Sequence, residues 1–494
     1  MPDHLPALQV VLPLVAAPLI VLVRHRGFAW LATTAVSYTC LVISILLASR
    51  VASGGAISYA IGSWEPPWGI EYRVDALSAF VLVLVSLTAS FVAPYAHRSL
   101  AAEVRPERHY VVYAMYCLCL AGLLGITITG DAFNLFVFLE IASLAMYVLI
   151  ALGTRRKALV AAYQYMLMGT VGATFYVIGV GLLYLMTGTL NLADMAERLR
   201  TVDEVRPVLA ALAFITVGIG LKLALFPLHQ WLPNAYAYAP SMVTAFLAAT
   251  ATKVSVYVLL RFYFGVFDPS ALYGPLHTRE VFIALSVAAM ITASLVALYE
   301  QDVKRLFAWS SVAQIGYITL GIGLANQAGL TGSIVHLLNH GVTKGAIFVL
   351  LGGLALRGAG APVTMAGLAG LGQRMPLTAF GLVIAGLSLV GVPGTAGFIS
   401  KWYLIAGALE RGQWWLAAVI VGASIIAAAY VWRVVEAVYL RPAPAGAPAA
   451  GEAPSGMLAA ALGMVILCVY FGIETSFSVG GARDAALLLL GGGR

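Results

Sequence analysis

The chain has 494 residues, of which 61% are hydrophobic and 10% are charged, and its mean hydropathy is +0.94. These values exclude an ordinary soluble globular protein and predict a polytopic membrane protein surrounded by a lipid bilayer. The formal net charge is +7, but the basic residues lie in short loops between apolar runs. We therefore expect no nucleic-acid partner, which would require a basic face.

The apolar runs predict an all-α chain with about fourteen transmembrane helices, because a helix needs about 20 residues to span a bilayer. These runs are 5–23, 28–49, 74–95, 110–128, 131–152, 160–188, 207–227, 241–264, 278–299, 305–325, 331–357, 377–409, 414–440 and 456–477. The basic residues Arg24, His25 and Arg26 follow the first run, and no basic leader precedes it. A retained first helix is therefore expected rather than a cleaved signal peptide.

Basic residues are more frequent in the loops that follow odd-numbered helices, for example at Arg105 and Lys304, although the opposite loops also carry arginines. The positive-inside rule makes the loops after odd-numbered helices cytoplasmic. This predicts a multi-pass protein of the inner (cytoplasmic) membrane with both termini on the outer side. The proline- and alanine-rich segment 442–454 is expected to be a flexible cytoplasmic linker before the last helix.

Two predicted helices are interrupted by proline and glycine, the seventh at 226–233 and the twelfth at 391–397. Such breaks persist at membrane depth only where protein or a wet cavity satisfies the freed backbone groups. Broken helices in corresponding places indicate an inverted repeat. We therefore divide the chain into N-terminal helices (1–109), two five-helix repeats (110–264 and 278–440), and a linker with the last helix (441–494).

Charged residues near the middle of apolar segments are the main functional signal. Each such side chain costs roughly 2.5–3.5 kcal/mol at a helix centre, which indicates a transport role. Lys222 and Lys253 are expected to lie about ten residues from a helix end, too far to snorkel easily to an interface. The candidate residues are Glu140, Lys222, Lys253, Lys344 and Lys401, with His336 and His340 beside one of them.

Long ordered stretches of the sequence resemble a known family. They are FPLHQWLPNAYAYAPS (226–241) leading to Lys253, DVKRLFAWSSVAQIGY (302–317), the segment from His336 to Lys344, and GVPGTAGFISKW (391–402). They resemble the proton-translocating antiporter-like subunits of respiratory complex I, Mrp-type cation/proton antiporters and membrane-bound hydrogenases. The resemblance covers about residues 110–440. In its length, its number of helices and the lysine at position 401, the chain is most similar to the D subunit of Mrp-type antiporters.

The resemblance implies roles for the buried charges. Glu140 on the fifth helix would pair with Lys222 on the broken seventh helix, and Lys253 on the eighth helix would be a relay. Lys344 with His336 or His340 would bridge the two repeats, and Lys401 would be the terminal lysine. Separation of the Glu140–Lys222 pair would then drive a proton towards Lys253, because each group holds the other charged only while they are close.

The expected function is therefore that of a proton-translocating subunit of a multisubunit Mrp-type Na⁺(K⁺)/H⁺ antiporter. The alternatives are a proton-pumping subunit of a complex I-like oxidoreductase or membrane-bound hydrogenase, and a non-transporting structural subunit. Other membrane subunits, protons and Na⁺ or K⁺ are the expected partners. The chain itself is expected to be a transporter subunit rather than an enzyme, with no cofactor and no metal.

Several residues have simpler interpretations. Glu140 could be only a structural ion-pair partner. Of the two histidines, which could also bind a metal, His340 is the candidate for a hydrogen-bonded packing residue and His336 for the proton carrier, but the sequence does not separate them. His229 is expected to cap the break in the seventh helix, with a role in proton uptake as the alternative.

Three further acids are assigned local roles by their positions. Asp75 and Asp131 stand at predicted helix starts, where acids favourably meet helix N-termini. Glu436 is expected to pair with Arg433, which lies three residues before it on the thirteenth helix.

Overall fold

The computed structural model describes residues 4–267, 272–273, 276–358, 360–443 and 451–491. Within these residues, thirteen helices are long and apolar enough to cross a membrane. A further span is divided between two shorter helices, which brings the number to the fourteen expected and confirms a polytopic all-helical membrane protein. The predicted linker at 442–454 lies partly outside the described residues.

The N-terminal part contains three long helices and one small hairpin. They are α1 (Leu5–Val23), α2 (Arg26–Gly54), β1 (Ile57–Ala60), β2 (Glu71–Val74) and α3 (Ala76–Glu103), with 3₁₀ turns at Ile61–Ser63 and Pro106–Arg108. The strands are antiparallel, with Ile57 opposite Val74 and Ala60 opposite Glu71. This hairpin was not predicted from the sequence, because strands of four residues carry little periodic signal.

The first five-helix unit contains five spans and one short helix. Its elements are α4 (His109–Ile128), α5 (Ala132–Ala151), α6 (Arg156–Thr187), the short α7 (Leu192–Leu199), α8 (Val205–Leu223) with α9 (Trp231–Tyr238), and α10 (Ser241–Leu260). Residues Arg261–Val266 extend α10 as π-helical turns.

The second unit has the same order of spans. Its elements are α11 (Thr278–Tyr299), α12 (Val303–Leu324), α13 (Gln327–Arg357), the short α14 (Leu371–Arg374), α15 (Pro376–Val390) with α16 (Ala396–Glu410), and α17 (Trp414–Val435), which Glu436–Leu440 extends as π-helical turns. Two helices follow, α18 (Ser455–Ile473) and α19 (Ser476–Leu489). In both units the fourth span is the broken one, whereas the inverted relation between the units stays a prediction.

The helix breaks lie beside two of the predicted functional lysines. Helix α8 ends at a left-handed residue, Ala224 (φ 60°), and α15 ends at Gly391 (φ 86°). Lys222 lies in the last turn of α8. The expectation that Lys222 stands about ten residues from a helix end was therefore wrong, because the chain leaves the helix before the proline.

Two of the three local roles predicted for acidic residues are confirmed, and one is wrong. Asp75 Oδ1 accepts from Ser78 N at 3.0 Å, and Asp131 Oδ1 accepts from Asn134 N at 2.7 Å, which confirms both as helix caps. The Glu436–Arg433 pair was wrong: Glu436 binds Arg441 at 3.0 Å instead. The π-helical turns after Val435 change the spacing on which the i,i+3 prediction depended.

The break between α8 and α9 carries His229 in a packed, buried position. Its ring stacks on Phe226, with centroids 5.0 Å apart, and meets Trp309 edge-on. Its backbone carbonyl accepts from Leu232 N at 3.0 Å, at the start of α9. The N-cap of α9 is Gln230, and His229 Nδ1 is buried without a partner among the described groups. The expected capping role is therefore not confirmed, and proton uptake by His229 stays a prediction.

Helices α10 and α13 form the centre of the bundle. All residues in their apolar segments are buried, whereas fewer than half of the residues in the apolar segments of α1, α2, α6 and α17 are buried. An amphipathic pattern is not required of a helix that is surrounded by other helices, so buried polar groups on α10 and α13 can face one another. The two central helices carry four of the seven predicted functional residues.

A buried ion pair connects three parts of the chain at the end where α3 finishes. Lys304 Nζ lies 3.4 Å from Glu103 Oε1, and the same carboxylate accepts from Ser241 N and Oγ at 2.7 and 2.9 Å. Lys304 was expected in a cytoplasmic loop as a topology signal, but its side chain is only 5% exposed. The contact is formed across 201 residues of chain, so sequence patterning could not predict it.

Replacing Lys304 by alanine should lower the free energy of unfolding by about 3–5 kcal/mol, because it leaves the Glu103 carboxylate buried without its partner. Arg305→Ala is the matched control, since its pair with Glu300 is partly exposed (36% and 19%). An exposed pair contributes about 0–1 kcal/mol. Thermal unfolding of both purified variants in detergent checks this, and equal stability losses would contradict a structural role for the buried pair.

Candidate functional site

The seven predicted residues all lie inside the helical bundle. Glu140 is on α5, Lys222 on α8, Lys253 on α10, His336, His340 and Lys344 on α13, and Lys401 on α16. Six of them are buried, and Glu140 is half-buried. The structure therefore divides the set into a pair near the surface and a group in the interior.

Glu140 and Lys222 form the predicted ion pair. Lys222 Nζ lies 3.1 Å from Glu140 Oε1 and donates to Ser143 Oγ at 2.6 Å. The lysine side chain is 3% exposed and the glutamate 26%. The carboxylate is thus the accessible member of the pair, and Lys222 depends on it for charge compensation.

Lys253 lies at the centre of the buried helix α10. Its ammonium group donates to the carbonyl of Ala248, one turn earlier on the same helix, and approaches Thr252 Oγ1 at 3.4 Å. None of the ion pairs in the described residues includes Lys253. A buried ammonium without a carboxylate is costly, and it can remove this cost by releasing its proton.

The two histidines on α13 have different surroundings. His336 is hydrogen-bonded at both ring nitrogens, to Ser400 Oγ at 2.7 Å and to Gln314 Oε1 at 3.0 Å. His340 is equally buried, but neither of its nitrogens has a partner among the described protein groups. The rings are stacked with centroids 5.7 Å apart. This is the reverse of the expectation that His340 is the hydrogen-bonded residue.

Lys344 lies one turn beyond His340 on α13 and contacts α12. Its ammonium group donates to the carbonyl of Phe307 at 2.6 Å and also to Ser310 Oγ. Helix α10, which carries Lys253, packs against α13, which carries His340 and Lys344. The three residues therefore form a group on adjacent helices, the His340 cluster, and the bridging role that the resemblance implied stays a prediction.

Lys401 lies on α16 and binds the end of its broken partner, α15. It donates to the carbonyls of Leu389 and Val390 at 3.0 and 2.8 Å and to Ser424 Oγ at 2.9 Å. The freed carbonyls at the end of α15 thus bind a cation, as backbone groups at helix C-termini favour. Its ammonium group also lies over the ring of Tyr317, 4.6 Å from the centroid.

The Glu140–Lys222 pair and the interior residues are connected through helix packing. Within the described residues, no hydrogen bond joins the interior lysines and histidines directly to one another or to the pair. His336 binds Ser400, the residue before Lys401 on α16. Helix α8 packs against α10, so Lys222 and Lys253 lie on neighbouring helices.

Three serine side chains and one glutamine bind the predicted residues and were not predicted themselves. Gln314 and Ser400 bind His336, Ser310 binds Lys344, and Ser143 binds Lys222. Gln314 and Ser310 lie within 302–317 and Ser400 within 391–402, the stretches that carry the family resemblance. A polar residue within those stretches was the available signal, and no such signal existed for Ser143.

The described residues contain no group of three or more His, Cys, Asp or Glu side chains that could hold a metal ion. The four cysteines are buried and not joined in disulfides. The polar interior is instead built from ammonium, imidazole, hydroxyl and carbonyl groups. This donor set suits proton transfer through hydrogen bonds and bridging water.

Comparison with known proteins identifies the family. The family described as NADH:quinone oxidoreductase/Mrp antiporter, TM, matches residues 129–427. NADH-quinone oxidoreductase subunit N of Desulforudis audaxviator (strain MP104C) is 42% identical over 463 residues, 92% of this chain and 91% of the relative. The D subunit of the Na(+)/H(+) antiporter of Alkalihalophilus pseudofirmus is 28% identical over 425 residues, 86% and 84% of the two chains.

A solved structure extends the similarity to the whole fold. A chain of the membrane-bound sulfane sulfur reductase, an archaeal respiratory membrane complex, superposes with a TM-score of 0.90 at 28% identity, covering 99% of this chain and 98% of its own. The three similar proteins come from different kinds of membrane complex, so the likeness does not single out the Mrp type. The chain belongs to the NADH:quinone oxidoreductase/Mrp antiporter transmembrane family.

Proposed function

We propose that this chain is a proton-translocating subunit of a multisubunit membrane complex. The observation that carries the proposal is the set of three buried lysines, Lys253, Lys344 and Lys401, that bind only carbonyl and hydroxyl oxygens. Ionisable side chains inside a membrane are rare, and where several face the interior of a helical bundle they mark ion pathways and proton relays. A lysine that binds only neutral oxygens can exchange its proton, and three of them support a transfer path.

The path begins at the Glu140–Lys222 pair, which is the switch. While the pair is closed, each charge stabilises the other; when it opens, Lys222 retains only Ser143 and releases its proton towards Lys253. From Lys253 the proton passes to His340, whose nitrogens have no other protein partner. Lys344 and His336 then connect this cluster to Lys401.

Lys401 is the terminal residue of the path. It contacts Ser424, a half-buried residue of α17, which is the last span of the second five-helix unit. Under the positive-inside rule, the end with Arg24, Arg105 and Lys304 is cytoplasmic and both termini are on the outer side. Protons would then be released from Lys401 to the outer side.

The kind of complex is a separate part of the proposal. The sequence favours a subunit of an Mrp-type Na⁺(K⁺)/H⁺ antiporter, and the 28% identical antiporter relative supports that assignment. The relative with 42% identity bears the name of an NADH-quinone oxidoreductase subunit and supports a redox-driven complex instead. In either case the partners are other membrane subunits, and the partly exposed Glu140 is where a neighbouring subunit could act on the switch.

The test uses membrane vesicles that carry the whole native complex, with either intact Glu140 or Glu140→Ala. Proton movement is followed with a pH-sensitive dye after addition of Na⁺, K⁺ or Li⁺, and separately after addition of an electron donor and quinone. Cation-driven movement that disappears in the variant supports the antiporter; movement driven only by electron transfer supports the redox complex. Proton movement that is unchanged in Glu140→Ala would leave only a structural role.

A further inference from the structure

A second polar cluster lies outside the proposed path, at the hairpin end of α10. Lys253, Tyr257 and Arg261 are spaced four residues apart and therefore share one face of this helix. The guanidinium group of Arg261 binds both carboxylate oxygens of Asp75 and also donates to Ser78 Oγ at 2.7 Å. The cluster of Tyr257, Arg261, Asp75 and Ser78 lies between Lys253 and the hairpin end of the bundle.

A cavity reaches this cluster from the surface. It has a volume of about 410 Å³ and is lined, among others, by Glu71, Arg73, Asp75, Tyr257 and Arg261. With several charged residues in its walls, the cavity is polar enough to admit water. Water can thus approach α10 to within one helical turn of Lys253.

The polar contacts stop between the cavity and Lys253. The Lys253 ammonium is directed to the carbonyl of Ala248, which is on the side away from Tyr257. Tyr257 donates its only hydroxyl proton to the carbonyl of Thr127 at 2.8 Å and accepts from Arg261 Nε at 2.9 Å. Ser255, between them, donates to the carbonyl of Ala251 in its own helix. No hydrogen bond in the described residues joins Lys253 to this cluster.

We propose that Tyr257, Arg261 and Asp75 form a barrier that prevents protons from leaving the first five-helix unit through the hairpin-end cavity. A guanidinium group keeps its proton in proteins and has no acceptor, so it cannot relay one. Asp75 compensates the charge of Arg261, so the barrier depends on the missing acceptor and not on a net positive charge. The inference rests on the proposed function, since it assigns the single exit to Lys401.

The carboxylate of Asp75 supports the same interpretation. It caps α3 through Ser78 N while binding Arg261, so both of its carboxylate oxygens accept hydrogen bonds. Burial opposes its charged form, but the Arg261 charge and the hydrogen bonds outweigh burial and lower its pKa. Asp75 therefore stays charged at neutral pH and does not serve as a proton acceptor for the cavity.

The test measures passive proton leak in vesicles that carry the whole complex, under an imposed pH gradient with no cation added and no electron donor. The variant is Asp75→Asn with Arg261→Gln, which removes both charges together, so no unpaired charge is left buried; asparagine also keeps the cap. We expect the leak to rise at least about tenfold, because every 1.36 kcal/mol removed from a barrier is tenfold in rate. Glu71→Gln, in the same cavity wall but bound to Ser58 and Asn191, should stay as tight as the unmodified complex.

A second comparison separates a lost barrier from a damaged protein. Adding Lys253→Ala to the double variant should return the leak to the unmodified level, because the leak would pass through Lys253. A double variant that is no leakier than the unmodified complex, or a leak that persists without Lys253, would overturn the barrier. Coupled transport that survives Lys253→Ala alone would instead overturn the proposed function, so the two failures are distinguishable.

Discussion

Lys253→Ala should reduce coupled proton movement by at least about a hundredfold, the contribution expected of a positioned proton-transfer group. Lys253 lies at the centre of the completely buried helix α10, which packs against the histidine-bearing helix α13. Without its amine, the proposed path has no proton carrier on α10 between Lys222 and the His340 cluster. The measurement is the initial rate of dye-reported proton movement in vesicles that carry the whole complex.

Two matched variants determine whether the loss concerns proton release. Lys253→Arg keeps the positive charge but cannot give up its proton, so it should be as inactive as Lys253→Ala. Ser255→Ala removes a hydroxyl from the same helix that binds only the carbonyl of Ala251, and it should keep most of the rate. An active Lys253→Arg variant would mean that the residue provides only charge.

Replacement of Glu140 and Lys222 by alanine, singly and together, should give strongly non-additive losses. The two side chains are in contact at 3.1 Å, and contacting residues typically show interaction energies of about 0.5–3 kcal/mol. We expect the double variant to be no slower than the worse single variant, because the switch is already lost when one partner is absent. The same vesicle assay, applied to all four proteins, gives the cycle.

The single variants should also differ from each other. Glu140→Ala leaves the buried Lys222 with only the hydroxyl of Ser143, whereas Lys222→Ala leaves a carboxylate that is partly exposed. An unpaired charge costs more where it is more deeply buried, so Glu140→Ala should destabilise the protein more in thermal unfolding. Independent, additive losses of transport would refute the idea that the pair acts as a switch.

The sequence alone determined the membrane class, the number of spans and the charged residues near the middle of apolar runs. Hydropathy and helix-breaking residues act over neighbouring positions, so runs such as 241–264 and the break at 391–397 are readable without the fold. The exact end of a helix depends less on neighbouring residues alone. Lys222 stands in the last turn of α8, since the chain turns at Ala224 before it reaches Pro227.

Only the tertiary structure decided which polar groups meet. The Arg261–Asp75 and Lys304–Glu103 pairs join residues 186 and 201 positions apart, and hydropathy carries no information about such distances. The same limit applies to the two histidines, which are alike in sequence but differ in the structure, because Gln314 of α12 and Ser400 of α16 reach only His336. The sequence thus selects the charged and titratable groups of the interior, and helix packing selects the partners that they bind.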